Sequence, residues 1–437
     1  SALSFGVSAI TEDNWFCGEQ GVEIDYIKLP HKRDDKYFYW FARSRSDTPD
    51  ADPLLIWLNG GPGASSLEGL LTENGPCLVQ PDLTTKRNAW AWNNNANVIW
   101  LEQPSGVGFS YVGDDADRDA TGEDVGKNMY AFLEGFLDKH PEFEGRAFYL
   151  TGESYSGHYI PAASYYIWQK NKRIEERGGK KRINLQGVAI GNGDPNLPLQ
   201  YKYSVEMGTN NAYNVTMLDE MQIAQMKKDA DECAVALTTC TPHSNASDGC
   251  YQVSSSCDEK ILAPYISAGR NVYDLRQQCN SPQECSDTDG GVVEKFLASD
   301  RVRTALYPVL GDFERGSSGG YVNHAFLDSG DWAKSYMPEI TELLNDGLRM
   351  LIYAGDADLV CNWIGNRAWT LEVDWKGKQG FNAASETEFK VPEHAGTVRQ
   401  YENLAFVRVF NAGHLVPKDQ PHASWVMLDK FLKNEKL

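Results

Sequence analysis

No run of about 18 or more apolar residues occurs in the 437-residue chain, so no segment is expected to span a membrane. Basic residues are scarce: 41 Lys and Arg stand against 61 Asp and Glu, a net charge of −20. Phosphate backbones need basic patches, so no nucleic-acid partner is expected. The acid-rich composition suits an acidic lumen, where part of that charge is neutralised, and it serves solubility equally well. Ser1 to Ile10 has neither a basic n-region nor a long apolar core and does not read as a signal peptide, which leaves secretion open. There is no Cys-x-x-Cys pair and no histidine cluster at metal spacing; His243 stands alone among the clustered cysteines. Zinc is therefore disfavoured, and neither a metal nor a cofactor is expected. The glycine-rich loop Asn59-Gly60-Gly61-Pro62-Gly63 is not followed by Gly-Lys-Ser/Thr, which removes a P-loop.

Nine cysteines are present, and six of them (Cys233, Cys240, Cys250, Cys257, Cys279 and Cys285) lie in a segment rich in Ser, Thr, Asp and Asn. Such crowding reads as a disulfide framework. The glycosylation sequons at Asn214 and Asn245 agree with an oxidising compartment. At 41% hydrophobic, the chain can bury a large core.

Up to about residue 197, strands and helices alternate. Lys36 to Ala42 reads as an antiparallel strand, and Pro53 to Leu58, Asn97 to Leu101, Ala147 to Leu150 and Leu185 to Ile190 read as buried strands. Ala120 to His140 places Val125, Met129, Phe132, Leu133 and Phe136 at helical spacing, with Pro141 just beyond. This is the rhythm of a mostly parallel sheet with helices on both faces. From 198 to 335 the chain is polar, cysteine-rich and weakly periodic, and reads as an inserted, disulfide-stapled cap. The rhythm resumes over 336–437 with strands at Leu348 to Tyr353 and Leu404 to Phe410 and a closing helix from Pro421 to Leu432. No internal repeat is evident.

Between the strand ending at Leu150 and a helical run from Tyr155 to Lys170 sits Gly152-Glu153-Ser154-Tyr155-Ser156-Gly157. A serine on a sharp strand-to-helix turn is a nucleophile elbow, the centre of an α/β-hydrolase fold, although glycine is usual where this chain has Ser156. The hydroxyl needs a base, and the base needs a carboxylate to orient it. In chain order the acid and then the histidine follow the serine at the ends of later strands. His31, His140, His158, His243 and His324 come too early, His394 falls in a polar loop, and His422 falls in the closing helix. His414 alone follows a strand directly, through Gly413. Asp356 and Asp358 both follow the strand that ends in Gly355. Asp358 is the better placed, with Asp356 holding the turn. The oxyanion donors expected are the N–H groups of Gly61 and Tyr155.

These residues, together with Trp57-Leu58-Asn59-Gly60-Gly61-Pro62-Gly63, Glu73-Asn74-Gly75-Pro76, Gly106-Val107-Gly108-Phe109-Ser110-Tyr111, Gly191-Asn192-Gly193, Cys361-Asn362-Trp363 and Gly413-His414, resemble the serine carboxypeptidase family in order and over nearly the full length. The resemblance implies an exopeptidase that removes one residue at a time from peptide and protein C-termini, best at acidic pH, with Asp358 as the triad acid. It assigns the substrate's free carboxylate to Asn59, the Gly60 N–H and Glu153, with Glu73 and Trp57 behind them. Two acids can hold an anion if they share a proton, because close carboxylates do not both ionise cheaply. The resemblance puts Glu68, Thr72 and Leu415 around the departing residue, where Glu68 would accept Lys or Arg as well as apolar side chains. It puts Val360, Cys361 and Tyr155 around the preceding residue. It also implies pairs Cys17–Cys77, Cys233–Cys257, Cys240–Cys250 and Cys279–Cys285, leaving Cys361 as a free thiol sensitive to mercurials.

One departure is Ala64, where the family usually has a bonded cysteine. A lysosomal, vacuolar or secreted enzyme, monomer or homodimer, is the expectation. An esterase or acyltransferase would use the same triad, and a non-catalytic protective binding protein would keep the fold. Acyl-transferring members often have Asp beside the serine, so Glu153 favours the peptidase.

Overall fold

The computed structural model describes residues 16–240, 247–311 and 320–437. Among the described residues twelve strands follow one another: β1 (Val22–Lys28), β2 (Lys36–Ala42), β3 (Leu54–Leu58), β4 (Cys77–Val79), β5 (Thr85–Arg87), β6 (Asn97–Leu101), β7 (Ala147–Glu153), β8 (Asn184–Gly191), β9 (Arg349–Gly355), β10 (Thr387–Val391), β11 (Glu393–Tyr401) and β12 (Leu404–Val409). Ten form one sheet in the order β1-β2-β6-β3-β7-β8-β9-β12-β11-β10, while β4 and β5 pair separately. From β6 to β12 in that order neighbours run parallel, and the pairs at both edges are antiparallel. This is the α/β-hydrolase arrangement expected.

The central strands are apolar on both faces because helices cover both; β3 and β6 are buried at every position. Residue alternation then divides the core. Tyr37, Tyr39, Phe41, Ile56 and Ile99 meet Phe132, Phe136 and Ile160 from the helices Gly122–Lys139 and Ser156–Glu176. Phe38, Trp40, Trp57 and Trp100 meet Leu70, Leu71, Met427 and Leu428 from the helices Leu67–Thr72 and Pro421–Leu432 on the other side. Thr121 and Asp124 form a reciprocal capping box that sets the start of Gly122–Lys139.

Several elements differ from the sequence reading. His394, expected in a loop, lies in β11, whose hairpin with β10 is mostly solvent-facing and lacks the apolar alternation that marks a strand. The polar segment is largely helical, and its apolar residues are divided among three cores. Helices Leu197–Met207, Glu220–Leu237 and Ser247–Ile261 share a cluster with Ala357 and Leu359, which lie just past β9. Val293, Phe296, Val302 and Leu306 join the Trp57 side of the sheet, and Val322 and Phe326 join the other. The helices of the segment pack on three different cores, so no single periodicity runs through it.

Disulfides join Cys17 to Cys77, Cys233 to Cys257 and Cys279 to Cys285. The expected Cys240–Cys250 bond is not formed. Both thiols are free and buried. They approach within hydrogen-bonding contact without covalent closure, and burial followed by Cys250 pushes the Cys240 thiol up to about 12. His243 and the Asn245 sequon lie outside the described residues.

Loop-closure entropy grows with the residues enclosed, to about 4 kcal/mol for the 60-residue separation of Cys17 and Cys77 and about 2 kcal/mol for the 6-residue separation of Cys279 and Cys285. Denaturant titration of the paired Cys→Ser variants is therefore expected to show the larger loss for the Cys17/Cys77 pair.

Candidate active site

β7 ends at Glu153, the helix Ser156–Glu176 begins almost at once, and Ser154 makes the turn with φ 62°. The left-handed region costs a non-glycine residue about 1 kcal/mol or more. Ser154 N is shared between the carbonyls of Gly191 at 3.1 Å and Asn192 at 3.2 Å, and Gly157 N donates to Ser154 O at 2.8 Å. At Ser156, where glycine is usual, the hydroxyl donates to Leu58 O at 2.9 Å and lies 3.2 Å from Asn59 O, tying the elbow to the end of β3. Gly60 packs so close that a Cβ there would lie 2.6 Å from Ser154 Cβ. Among the described residues, the N–H groups of Gly60, Gly61 and Tyr155 donate to nothing. Unspent donors beside a nucleophile are what a developing oxyanion requires.

The loops after β9 and β12 bring in Asp358 and His414. Asp358 is fully buried, and its Oδ2 accepts from His414 Nδ1 at 2.7 Å, Asn192 Nδ2 at 2.8 Å and Cys361 N at 3.2 Å. Its Oδ1 accepts from Val360 N at 3.1 Å. Asp356 is committed elsewhere, to the Tyr213 hydroxyl, to Asn411 N at 3.0 Å and to Arg408 Nη2 at 3.1 Å. The structure thus pairs Asp358 with His414 and leaves Asp356 to the turn. No Ser154–His414 hydrogen bond forms among the described residues. The serine hydroxyl lies in contact with the Cys361 thiol, which burial holds well above its ordinary pKa and therefore neutral. Nucleophile–base bonds are often long before substrate binds.

One segment grips both loops. Val272 O accepts from Leu359 N at 3.1 Å and Val360 N at 3.2 Å, Leu275 N donates to Ala357 O at 2.9 Å, and Tyr273 O accepts from His414 N at 2.8 Å. The Tyr273 ring lies 4.9 Å from that of His414. Arg276 Nη2 reaches Asp419 at 3.0 Å, whose Oδ2 takes Gly413 N at 2.7 Å. Asn271 braces the segment: its Nδ2 donates to Glu284 O at 3.0 Å and Asp287 O at 2.9 Å, beside the Cys279–Cys285 ring, and its Oδ1 accepts from Tyr273 N at 2.8 Å.

Beside the elbow lies an acid cluster. Asn59 Oδ1 accepts from Trp57 Nε1 at 2.8 Å and Gly69 N at 3.2 Å, so its amide nitrogen must face Glu153, donating to Oε1 at 2.9 Å. Glu73 and Glu153 are 1% and 2% exposed. Among the described residues no donor reaches either Glu73 oxygen or Glu153 Oε2, and the two carboxyls face each other in hydrogen-bonding contact. Two bare carboxylates so placed do not both ionise. Burial pushes Glu73 up to about 7, and burial with the adjacent Glu73 charge drives Glu153 well above the usual range.

Glu68 and Thr72 share the helix Leu67–Thr72 and are partly buried, as are Leu415 and Val360, while Cys361 is buried. Tyr155 departs from expectation. Its ring is 2% exposed, stacked on His158 at 4.2 Å and Trp332 at 5.2 Å, and its hydroxyl donates to Asp331 at 2.9 Å. The ring is a packing element rather than a pocket wall, and the backbone N–H is what it offers the site. Asn214 is exposed. Sequence reasoning gave no role to Asn192 or Tyr273. The Gly191-Asn192-Gly193 run after β8 was a signal for the first, whereas Tyr273 carried none.

A serine at a left-handed elbow, with an Asp–His pair at the ends of later parallel strands, defines an α/β-hydrolase built for nucleophilic catalysis. The chain belongs to the serine carboxypeptidase family, whose model matches residues 19–434. It is 38% identical over 421 residues to carboxypeptidase Y homolog A of Leptosphaeria maculans, covering 94% of this chain and 74% of that one. It is 37% identical over 404 residues to carboxypeptidase Y of Saccharomyces cerevisiae, covering 91% and 73%. The solved structure of Kex1(delta)p, a prohormone-processing carboxypeptidase from Saccharomyces cerevisiae, superposes with a TM-score of 0.77 at 26% identity over 94% of this chain and 91% of that one. The protein is a serine-type carboxypeptidase, a hydrolase acting on peptides with free C-termini.

Asn271→Ala is expected to lower kcat by about tenfold or more through a small displacement of the histidine loop. Steady-state kinetics would show KM changing by less than kcat; a loss confined to KM would count against a positioning role.

Proposed function

We propose that this carboxypeptidase works best at acidic pH, through an acyl-enzyme, and recognises its substrate by the terminal carboxylate. The observation that carries the reading is the Glu73–Glu153 pair beside Asn59, one residue from Ser154, with three carboxyl oxygens that no donor among the described residues reaches. A proton held by that pair turns two acids into a donor for the substrate carboxylate, with the remaining Asn59 N–H and the Gly60 N–H beside it and Trp57 fixing Asn59.

Ser154 Oγ then attacks the carbonyl carbon while His414, held by Asp358, takes its proton. The oxyanion is received by the N–H groups of Gly61 and Tyr155. Collapse breaks the C–N bond, and His414 returns the proton to the leaving amine. Water, deprotonated by His414, cleaves the ester and restores Ser154. Preference is broadly hydrophobic. Glu68, Thr72 and Leu415 border the departing residue, with Glu68 also accepting Lys or Arg, and Val360 and Cys361 border the preceding one. Residues 198–335 act as the cap over this cleft. Three disulfides and an exposed sequon at Asn214 support a lysosomal, vacuolar or secreted location, as monomer or homodimer.

The pH dependence follows from the direction of the shifts. Raised carboxyl pKa values keep the pair protonated at acidic pH, and ionisation sets in as pH rises through about 7. A charged pair repels the substrate carboxylate, so KM for free-acid blocked dipeptides is expected to climb through that range. C-terminal amides are expected to be poor substrates without that climb. Free-acid KM constant to high pH would sink the shared-proton reading. Ser154→Ala is expected to lose at least about 10⁴-fold in kcat and all labelling by a fluorophosphonate. Cys361→Ala should remove inhibition by mercurials; retained inhibition would place the sensitive thiol elsewhere.

A further inference from the structure

One residue in the loop after β8 meets both halves of the site. Asn192 is fully buried, and its backbone enters the left-handed region at φ 40°, which asparagine and glycine tolerate better than other residues. Its N–H donates to Tyr353 O at 2.8 Å, at the end of β9, and its carbonyl is one of the two acceptors that share Ser154 N, at 3.2 Å. The side chain turns to the acid. Oδ1 accepts from Gly355 N at 3.1 Å, which fixes the orientation of the amide, and Nδ2 therefore donates to Asp358 Oδ2 at 2.8 Å. Backbone and side chain of a single residue thus hold the nucleophile elbow on one side and the aspartate turn on the other.

Asp358 Oδ2 is shared by His414 Nδ1 at 2.7 Å and Asn192 Nδ2. The other donors to Asp358 among the described residues, Val360 N and Cys361 N, are backbone groups. A carboxylate beside an imidazole favours the imidazolium, and an imidazolium cannot take the proton of Ser154. A side-chain donor spent on the same oxygen draws off part of that pull. Other titratable groups face this place: Cys361 and Tyr273, which burial keeps uncharged, Glu68 on the helix Leu67–Thr72, and the Glu73–Glu153 pair. Asp194, in the same loop as Asn192, is pushed well above the usual carboxylate range by burial. Asp356 is tied to Arg408 at 3.1 Å and Asp419 to Arg276 at 3.0 Å. All of these groups are common to the wild type and to variants at position 192.

We propose that Asn192 is a positioning residue that joins the elbow to Asp358 and, by sharing Asp358 Oδ2 with His414, extends activity to lower pH. This deepens the reading of Ser154, Asp358 and His414 as nucleophile, acid and base, and rests on it. An acid-working enzyme of this design has two opposed needs: the carboxylate clamp must hold a proton while the histidine has none. Asn192 widens the range of pH over which both are met, and it acts through Asp358 without touching substrate.

The experiment follows the rate at which an uncharged fluorophosphonate labels Ser154 across pH. That reagent has no terminal carboxylate, so the clamp does not enter the profile. Asn192→Gly suits the left-handed backbone and removes only the side chain. Its acidic limb is expected to lie about one pH unit above that of the wild type, as for the loss of one hydrogen bond to a charged group. At any pH on the limb, labelling is then about tenfold slower than in the wild type. A merely structural role would lower the rate evenly along the profile. An even loss with the limb unmoved, or no loss at all, would overturn the proposal. Should Asn192→Gly not fold, Asn192→Ala, with a less flexible backbone, decides by the same criterion. Failure of the wild-type enzyme to label would instead overturn the reading of Ser154, and this inference with it.

Discussion

At Ser154 the backbone enters the left-handed region, and that one turn sends three consecutive residues in three directions. Glu153 stays in β7 with its carboxyl buried beside Glu73, Ser154 lifts its hydroxyl clear of the sheet end, and Tyr155 exposes its N–H while its ring drops into the core against His158 and Trp332. The serine and the groups proposed as carboxylate clamp and oxyanion donor are therefore set by the same pair of dihedrals. The strain is sustained by shared acceptors at Gly191 and Asn192 and by the Ser156 hydroxyl on Leu58 O. A relaxed turn would displace all three functions together.

Environment then separates the roles of chemically similar acids. Asp358 has donors on both oxygens and Asp356 has three partners, as suits carboxylates that orient other groups. Among the described residues neither Glu73 oxygen accepts a hydrogen bond, and Glu153 accepts one, from Asn59 Nδ2. Buried acids starved of donors retain protons, and in this fold they do so where the proposed reading puts the substrate carboxylate.

Much of this was legible in the residues. Apolar runs such as Leu54–Leu58 and Asn97–Leu101 announce buried parallel strands because both faces are covered. Ser154, Asp358 and His414 could be found because the elbow, the Gly355 turn and the Gly413 turn each follow a strand in the required order. The β10–β11 hairpin was not legible, since edge strands that face solvent need no alternation. The helical character of the middle segment was hidden because its helices pack on three separate cores. Tyr273 contributes through a backbone carbonyl, which leaves no mark on side-chain identity. Cys240 and Cys250 show the converse limit: proximity was readable, and bond formation was not.

By itself the sequence determined the hydrolase frame, the order of nucleophile, acid and base, and the identity of the acids beside the serine, because strand periodicity and turn chemistry are local. Only the tertiary structure decided which acids face each other, which aspartate meets the histidine, and that the Asn271–Arg276 segment holds the loops of both Asp358 and His414. Those outcomes depend on desolvation and on partners far apart along the chain, from 56 residues between Asp358 and His414 to 166 between Asn192 and Asp358. No local pattern records them.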